Sequence, residues 1–256
     1  ITCPESLAIN FVDRHFGIGG DGITLIEKSD VADAKMRIFN KDGSEGRMAG
    51  NSIRCVAKYL FDNGMVKGKN ITIETLSGVK ELSLFTFNGK VSSVSVEMGK
   101  AVLDGRNIPS TLDGESVVDR AITVGGKNYN VTLVNVGNPH CVVFCDKVDA
   151  VDVPNVGPLF EYSEYFPERV NTEFVRVVND TTLKMRVWER GNGETLACGT
   201  GAAAAVVAAV LNGYCRPDTD VTVKVRGGDL FVRYTSDGMV TLTGGVKQVF
   251  EGYIEF

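Results

Sequence analysis

Apolar residues along this chain gather in short runs broken by glycine and polar residues, and in two stretches their spacing changes to that of a helix. The runs at 23–26, 36–39, 71–73, 82–85 and 91–96 are rich in Ile, Val, Leu and Phe and predict strands. Asn88-Gly89, between the last two, predicts a hairpin turn. From Asn51 to Asn63, Ile53, Val56, Ala57 and Leu60 recur at helical spacing, with Gly64 as the C-cap. A second helix is predicted over the unbroken apolar stretch Ala202 to Leu211, ending at Asn212-Gly213. Lys41 to Gly46 reads as a loop. Gly17-Ile18-Gly19-Gly20-Asp21-Gly22 matches the spacing of a dinucleotide fingerprint, but it precedes a strand instead of joining strand to helix, so it reads as a turn.

The same order of elements returns at an offset of about 150 residues. Met36-Arg37-Ile38-Phe39-Asn40 lines up with Met185-Arg186-Val187-Trp188-Glu189, and Gly50 with Gly199. The helix ends Asn63-Gly64 and Asn212-Gly213 coincide, as do Ile71-Thr72-Ile73 with Val221-Thr222-Val223 and Asn88-Gly89 with Asp237-Gly238. The reading is two similar domains facing each other, with the duplicated helix starts converging on one cleft. The segment Val134 to Val143 has no first-half partner, so a strand and loop of at least about fifteen residues are expected ahead of residue 1.

Composition is that of a globular protein, 43% apolar and 23% charged. A formal net charge of −5 without a basic tract argues against nucleic-acid binding. Ten apolar residues at 202–211 are too few to span a bilayer, so no membrane association is expected. The first residues show no signal-peptide pattern, and without an initiator Met the stretch is expected to be incomplete there. Six irregularly spaced cysteines point to a reducing, cytoplasmic setting. His140, Cys141 and Cys145 lack a fourth ligand at a supporting spacing, so no metal is expected.

The candidate chemistry lies at Glu189-Arg190-Gly191 through Ala197-Cys198-Gly199-Thr200-Gly201, where Cys198 sits at the mouth of the second helix. Unpaired amides and the partial positive charge at such a helix start are expected to lower the thiol's pKa and to hold a substrate carboxylate. Duplicated helix starts suit a reaction that needs groups on opposite faces of one carbon, such as inversion of an amino-acid α-carbon. Cys55, six residues into the first helix, reads as a core residue.

Several stretches then carry a specific resemblance: Asp13-Arg14-His15-Phe16-Gly17-Ile18-Gly19, Asn40 to Glu45, Gly50-Asn51-Ser52-Ile53-Arg54-Cys55, Gly137-Asn138-Pro139-His140, Glu189 to Gly201, and Leu242-Thr243-Gly244. Together they resemble the diaminopimelate epimerase family over essentially the whole chain; proline racemases and phenazine-pathway isomerases fit less well. The resemblance implies an α+β fold of two pseudo-symmetric domains, each a mixed sheet wrapped around a central helix. One half would be 1–98 completed by 245–256, the other 99–244. It implies a cofactor-independent isomerase acting on a small-molecule substrate, LL- and meso-diaminopimelate, on the route to lysine and peptidoglycan. A homodimer is the family-based expectation for assembly.

The resemblance also implies residue roles. Two cysteines act as acid and base; the second is Cys198, and the first falls at a position that here holds Ala49. Asn40, Asn138, Asn171 and Arg190 bind the distal amino-acid end of the substrate, and Glu189 holds an ammonium group. Gly50, Asn51, Gly199 and Thr200 cradle the reacting carboxylate, and His140 lies close to the thiols. A methyl group neither accepts nor donates a proton, so two-thiol inversion cannot run as written and the chain is expected to be inactive or impaired. An engineered exchange and a natural member with lost or altered activity both account for Ala49. Two rival readings stand beside this one: a racemase for another amino acid on the same scaffold, and a non-catalytic amino-acid-binding relative.

Overall fold

Strand-forming runs separated by tight turns build most of the molecule, and two long helices return the chain between parallel strands. The computed structural model describes every residue except 47–49, 113 and 255–256, and omits the side chain of residue 106. The chain divides into two compact units, Ile1–Val96 with Gly244–Phe256, and Glu97–Thr243.

The first unit begins with helix α1 (Pro4–Phe11) and strands β1 (Gly22–Glu27), β2 (Ala34–Asn40) and β3 (Glu45–Gly46). Helix α2 (Gly50–Asp62) follows, then β4 (Asn70–Thr75), β5 (Gly78–Phe87) and β6 (Lys90–Lys100), along which the chain leaves the unit. Its strand order is β1-β2-β4-β5-β6. β2 and β4 run parallel, a pairing that requires a crossover, and α2 supplies it. One face of α2 is buried through Ile53, Val56, Ala57 and Leu60, the helical spacing seen in the sequence. Cys55 points away from that face and is exposed, so it is not the core residue expected: it sits two positions from Ile53, outside the buried stripe. The expected loop at 41–46 is a hairpin, since Glu45 and Gly46 pair with Phe39 and Ile38. The turn is tight enough to allow this because Gly43 adopts φ +82° and Asp42 accepts the Ser44 amide.

The second unit contains β7 (Arg120–Val124), β8 (Lys127–Asn135), β9 (Pro139–Phe144), helix α3 (Val153–Glu161), β10 (Asn171–Asn179), β11 (Thr182–Glu189) and β12 (Gly193–Thr195). Helix α4 (Gly199–Leu211) and strands β13 (Asp220–Val225), β14 (Gly228–Tyr234) and β15 (Met239–Gly245) complete it. The order is β15-β14-β13-β11-β10-β9-β8-β7, a mixed sheet in which β9–β10 and β11–β13 are parallel. α4 touches β8, β9, β10, β11, β13 and β14, so the sheet wraps around it. Every residue from Gly201 to Ala209 is buried, which only small side chains permit where strands close on all sides of a helix. A further apolar layer, including Phe160, Phe166 and Phe174, fills the space between α3 and its neighbouring strands. Trp188 is half-buried against that layer.

The repeat read from the sequence is present in the pairing pattern. β1-β2-β3-α2-β4-β5-β6 and β10-β11-β12-α4-β13-β14-β15 share their element order, their short antiparallel hairpin and their parallel crossover around a helix. The fold is α+β, as expected.

Candidate active site

In the second unit, β12 turns directly into α4 through Cys198, which serves as the helix N-cap in an extended conformation (φ −119°, ψ 115°). Its Sγ accepts the Gly201 amide at 3.3 Å and lies 3.4 Å from the Thr200 hydroxyl. A Cβ added at Gly201 would sit 2.7 Å from Glu173 Oε1 and 3.3 Å from Cys198 Sγ. Glycine at 201 therefore lets a thiol and a carboxylate share the helix start. The helix start alone predicts a lowered thiol pKa, and the enclosure of Cys198 acts in the opposite direction. Burial pushes the Cys198 thiol well up, and the Glu189 and Glu173 carboxylates push it further. The Thr200 and Gly201 hydrogen bonds oppose this only in part. Desolvation of a thiolate outweighs the amides of the helix start.

A row of buried polar groups arises from the parallel pairing of β9 and β10, which sets Asn171 opposite His140. Strand alternation puts Glu173 on the same face as Asn171. His140 and Glu173 are both 0% exposed, with His140 Nδ1 2.7 Å from Glu173 Oε1. The other ring nitrogen, Nε2, lies 2.9 Å from Asn138 Oδ1. Asn171 donates to the Pro139 carbonyl and accepts the Arg190 amide, each at 2.9 Å. Both ends of its amide are thus used within the protein. Asn171 ties the 138–140 turn to the 189–193 turn.

That second turn is held from below by Glu161 of α3, whose oxygens accept Trp188 Nε1 at 2.7 Å and the Gly191 amide at 3.0 Å. Gly191 and Gly193 both take positive φ there. Glu189 accepts a short hydrogen bond from the Thr195 hydroxyl. Arg190 is exposed, and its Nη1 donates to the Glu168 carbonyl at 3.0 Å. Cys198, Gly199, Thr200, Asn138, His140, Asn171, Glu189 and Arg190 all belong to this unit.

Asn40, Gly50 and Asn51 belong to the first unit. Asn40 ends β2 and donates to the Ser44 hydroxyl at 3.1 Å. Gly50 and Asn51 open α2, where the buried Arg54 guanidinium donates to the Gly50 carbonyl and to Asn51 Oδ1, each at 2.9 Å. Ala49 lies outside the described residues. Among the described residues, no group of three or more His, Cys, Asp or Glu side chains is placed to hold a metal ion. Nor is any helix there long and apolar enough to cross a membrane.

Sequence reasoning missed Glu173, Glu161 and Arg54. Glu173 had no local signal, because the burial of Asn171 to Val175 on both faces of the strand arises only from tertiary packing. Glu161 had none, because Pro154, Gly157 and Pro158 mask the helical spacing of Val153, Val156 and Phe160 in α3.

Comparison with known proteins agrees with this architecture. The family model described as diaminopimelate epimerase matches residues 2–103 and 132–249. A diaminopimelate epimerase of Methanococcus maripaludis is 48% identical over 256 residues, covering 100% of this chain and 92% of the relative. One from Acetivibrio thermocellus is 49% identical over 253 residues, covering 98% and 90%. Among solved structures, a hydroxyproline epimerase from Agrobacterium vitis shares the fold at a TM-score of 0.70 and 16% identity, covering 95% of this chain and 77% of that one. A family model spanning most of the sequence and relatives alike along its length place this chain in the diaminopimelate epimerase family.

Proposed function

We propose that the isomerase chemistry of this chain centres on Cys198 as one of two proton-transfer groups at the α-carbon of LL- and meso-diaminopimelate. The observation that carries the reading is the Cys198 thiol capping α4 beside helix-start amides that have no hydrogen-bond partner among the described residues. Those amides, at Gly199 and Thr200, suit the reacting carboxylate and the charge that builds on it as the α-proton leaves. The raised thiol pKa keeps Cys198 protonated at neutral pH, so on this face it starts as the proton donor. Glu189, beside the thiol, suits the substrate ammonium. Arg190 and Asn138 suit the distal amino-acid end, with the exposed guanidinium able to grip a carboxylate through two parallel bonds. Asn171, with both amide ends engaged, acts by holding those two in place. His140 acts through Asn138 and Glu173, to which its two ring nitrogens are committed.

The partner thiol of the family pattern falls at Ala49, and a Cys198 that starts protonated cannot begin the reaction alone. The chain therefore binds diaminopimelate without inverting it. All six cysteines are free, which supports a reducing, cytoplasmic setting, and a homodimer is the companion proposal for assembly.

Proton NMR of LL- and meso-diaminopimelate with the protein in heavy water tests the assignment. The expected result is neither inversion nor loss of the α-proton signal, with both appearing in Ala49→Cys. Inversion at enzyme-like rates by the unaltered chain would require a different group opposite Cys198 and would sink the two-thiol reading.

A further inference from the structure

Glu173 has no part in the proton transfers above, yet its carboxyl is buried deep in the second unit. Oε1 meets His140 Nδ1 at 2.7 Å, while Oε2 has no hydrogen-bond partner among the described residues. A carboxyl oxygen buried without a partner is costly, and an apolar side chain of similar size would remove that cost. A polar duty is the natural reason for a Glu here.

The duty follows from the next two contacts. His140 Nε2 faces Asn138 Oδ1 at 2.9 Å, and an amide oxygen only accepts, so Nε2 must carry a hydrogen. A second hydrogen lies in the Nδ1···Oε1 bond. The His140–Glu173 pair thus holds two protons together and is neutral as a unit, which suits its complete burial. With its Oδ1 drawn to the ring, Asn138 leaves its Nδ2 group without a protein partner among the described residues. That group is a donor only. It suits a carboxylate and not an ammonium.

We propose that Glu173 is a positioning residue which, through His140, turns the Asn138 amide so that its NH2 group faces the distal carboxylate of the substrate. The inference rests on the reading of Asn138 as a contact to that distal end. A bare Nε2 would draw the NH2 group inward instead and present a carbonyl, which repels the same carboxylate. Glu173 and His140 thereby set the preference for a substrate with an acid at its far end.

The test uses the full chain labelled with 15N at histidine. It contains two histidines, and His15 is exposed, so the two ring systems are readily told apart. The expected His140 signal has a proton on Nε2, with a pyrrole-like shift. A pyridine-like Nε2 in the unaltered protein would overturn the proposal, whatever the variants do.

Calorimetric binding supplies the second arm, with meso-diaminopimelate and with L-lysine, which lacks the distal carboxylate. Glu173→Leu is expected to weaken diaminopimelate roughly tenfold or more while leaving lysine little changed. Glu173→Gln, whose amide NH2 group can donate to Nδ1 and keep the hydrogen on Nε2, is expected to restore both the pyrrole-like signal and most of the affinity. Unchanged diaminopimelate binding in Glu173→Leu, or an equal loss for both ligands, would reject the positioning role. If Glu173→Leu does not fold, the native ring signal and the Glu173→Gln affinity decide. Asn138→Ala checks the underlying reading separately: unchanged diaminopimelate affinity there would remove Asn138 from the site and leave the ring assignment standing.

Discussion

Helices α2 and α4 hold corresponding places in the two units and each runs thirteen residues, yet they meet their surroundings in opposite ways. α2 buries one stripe and shows the rest, with Asn51, Cys55 and Tyr59 exposed. α4 is enclosed by strands along nearly its whole length. Their polar environments differ as well. The α2 start is crossed by a buried cation, Arg54, and the α4 start lies against two carboxylates, Glu173 and Glu189. Duplication preserved the path of the backbone and the length of the helix. It did not preserve the electrostatics of the helix starts.

The sharpest way to break this contrast is at the thiol. In the Ala49→Cys background, Cys198→Ala is expected to lower epimerisation by about 10²–10⁴-fold, measured by inversion of diaminopimelate. Cys55→Ala in the same background should leave the rate unchanged. If Cys55 proved equally necessary, the assignment of the chemistry to Cys198 would be wrong.

A smaller effect is expected at the third residue of each helix, Gly201 in α4 and Ser52 in α2. Gly201→Ala would drive a methyl to 2.7 Å from Glu173 Oε1, with a cost of about 1–3 kcal/mol in urea unfolding. Ser52→Ala, on a half-exposed helix start, should stay within about 0.5 kcal/mol. Equal costs would show that the enclosure of α4 is not what makes Gly201 necessary.

The smallest effect concerns pH. Unfolding releases Cys198 from a raised pKa to the ordinary thiol value of about 8.5. Its contribution is therefore intact below that value and is lost as pH rises above it, by up to about 1.4 kcal/mol per pH unit. Urea unfolding between neutral and alkaline pH should show a steeper decline for the native chain than for Cys198→Ser. Parallel declines would mean that Cys198 titrates normally in the folded state.

Much of the fold was legible because its signals are local. Ile53, Val56, Ala57 and Leu60 declare a one-sided helix, and the offset matches declare the duplication. What escaped depends on enclosure, which is a tertiary property. Cys198 looked activated because the helix start could be read from the sequence and the depth of its burial could not. Glu173 was passed over because a single acid in a strand is ordinarily a solvent-facing residue, and only the wrapping of β10 by its neighbours makes it otherwise. The two internal partners of Asn171, the Pro139 carbonyl and the Arg190 amide, could not be read because they lie far from it in sequence.

The run of glycine, alanine and valine in α4 acts as a spacer of fixed thickness. The distance from the helix axis to β10 is set by methyl groups, and β10 carries Glu173 toward the thiol that caps the same helix. A bulkier side chain at Ala204 or Ala205 has nowhere to go without moving a strand. Substitutions there would then register as changes in how the thiol handles its proton, almost two helical turns from Cys198. Mutational sensitivity in this protein should accordingly follow the contour of α4 and not simply the distance from Cys198.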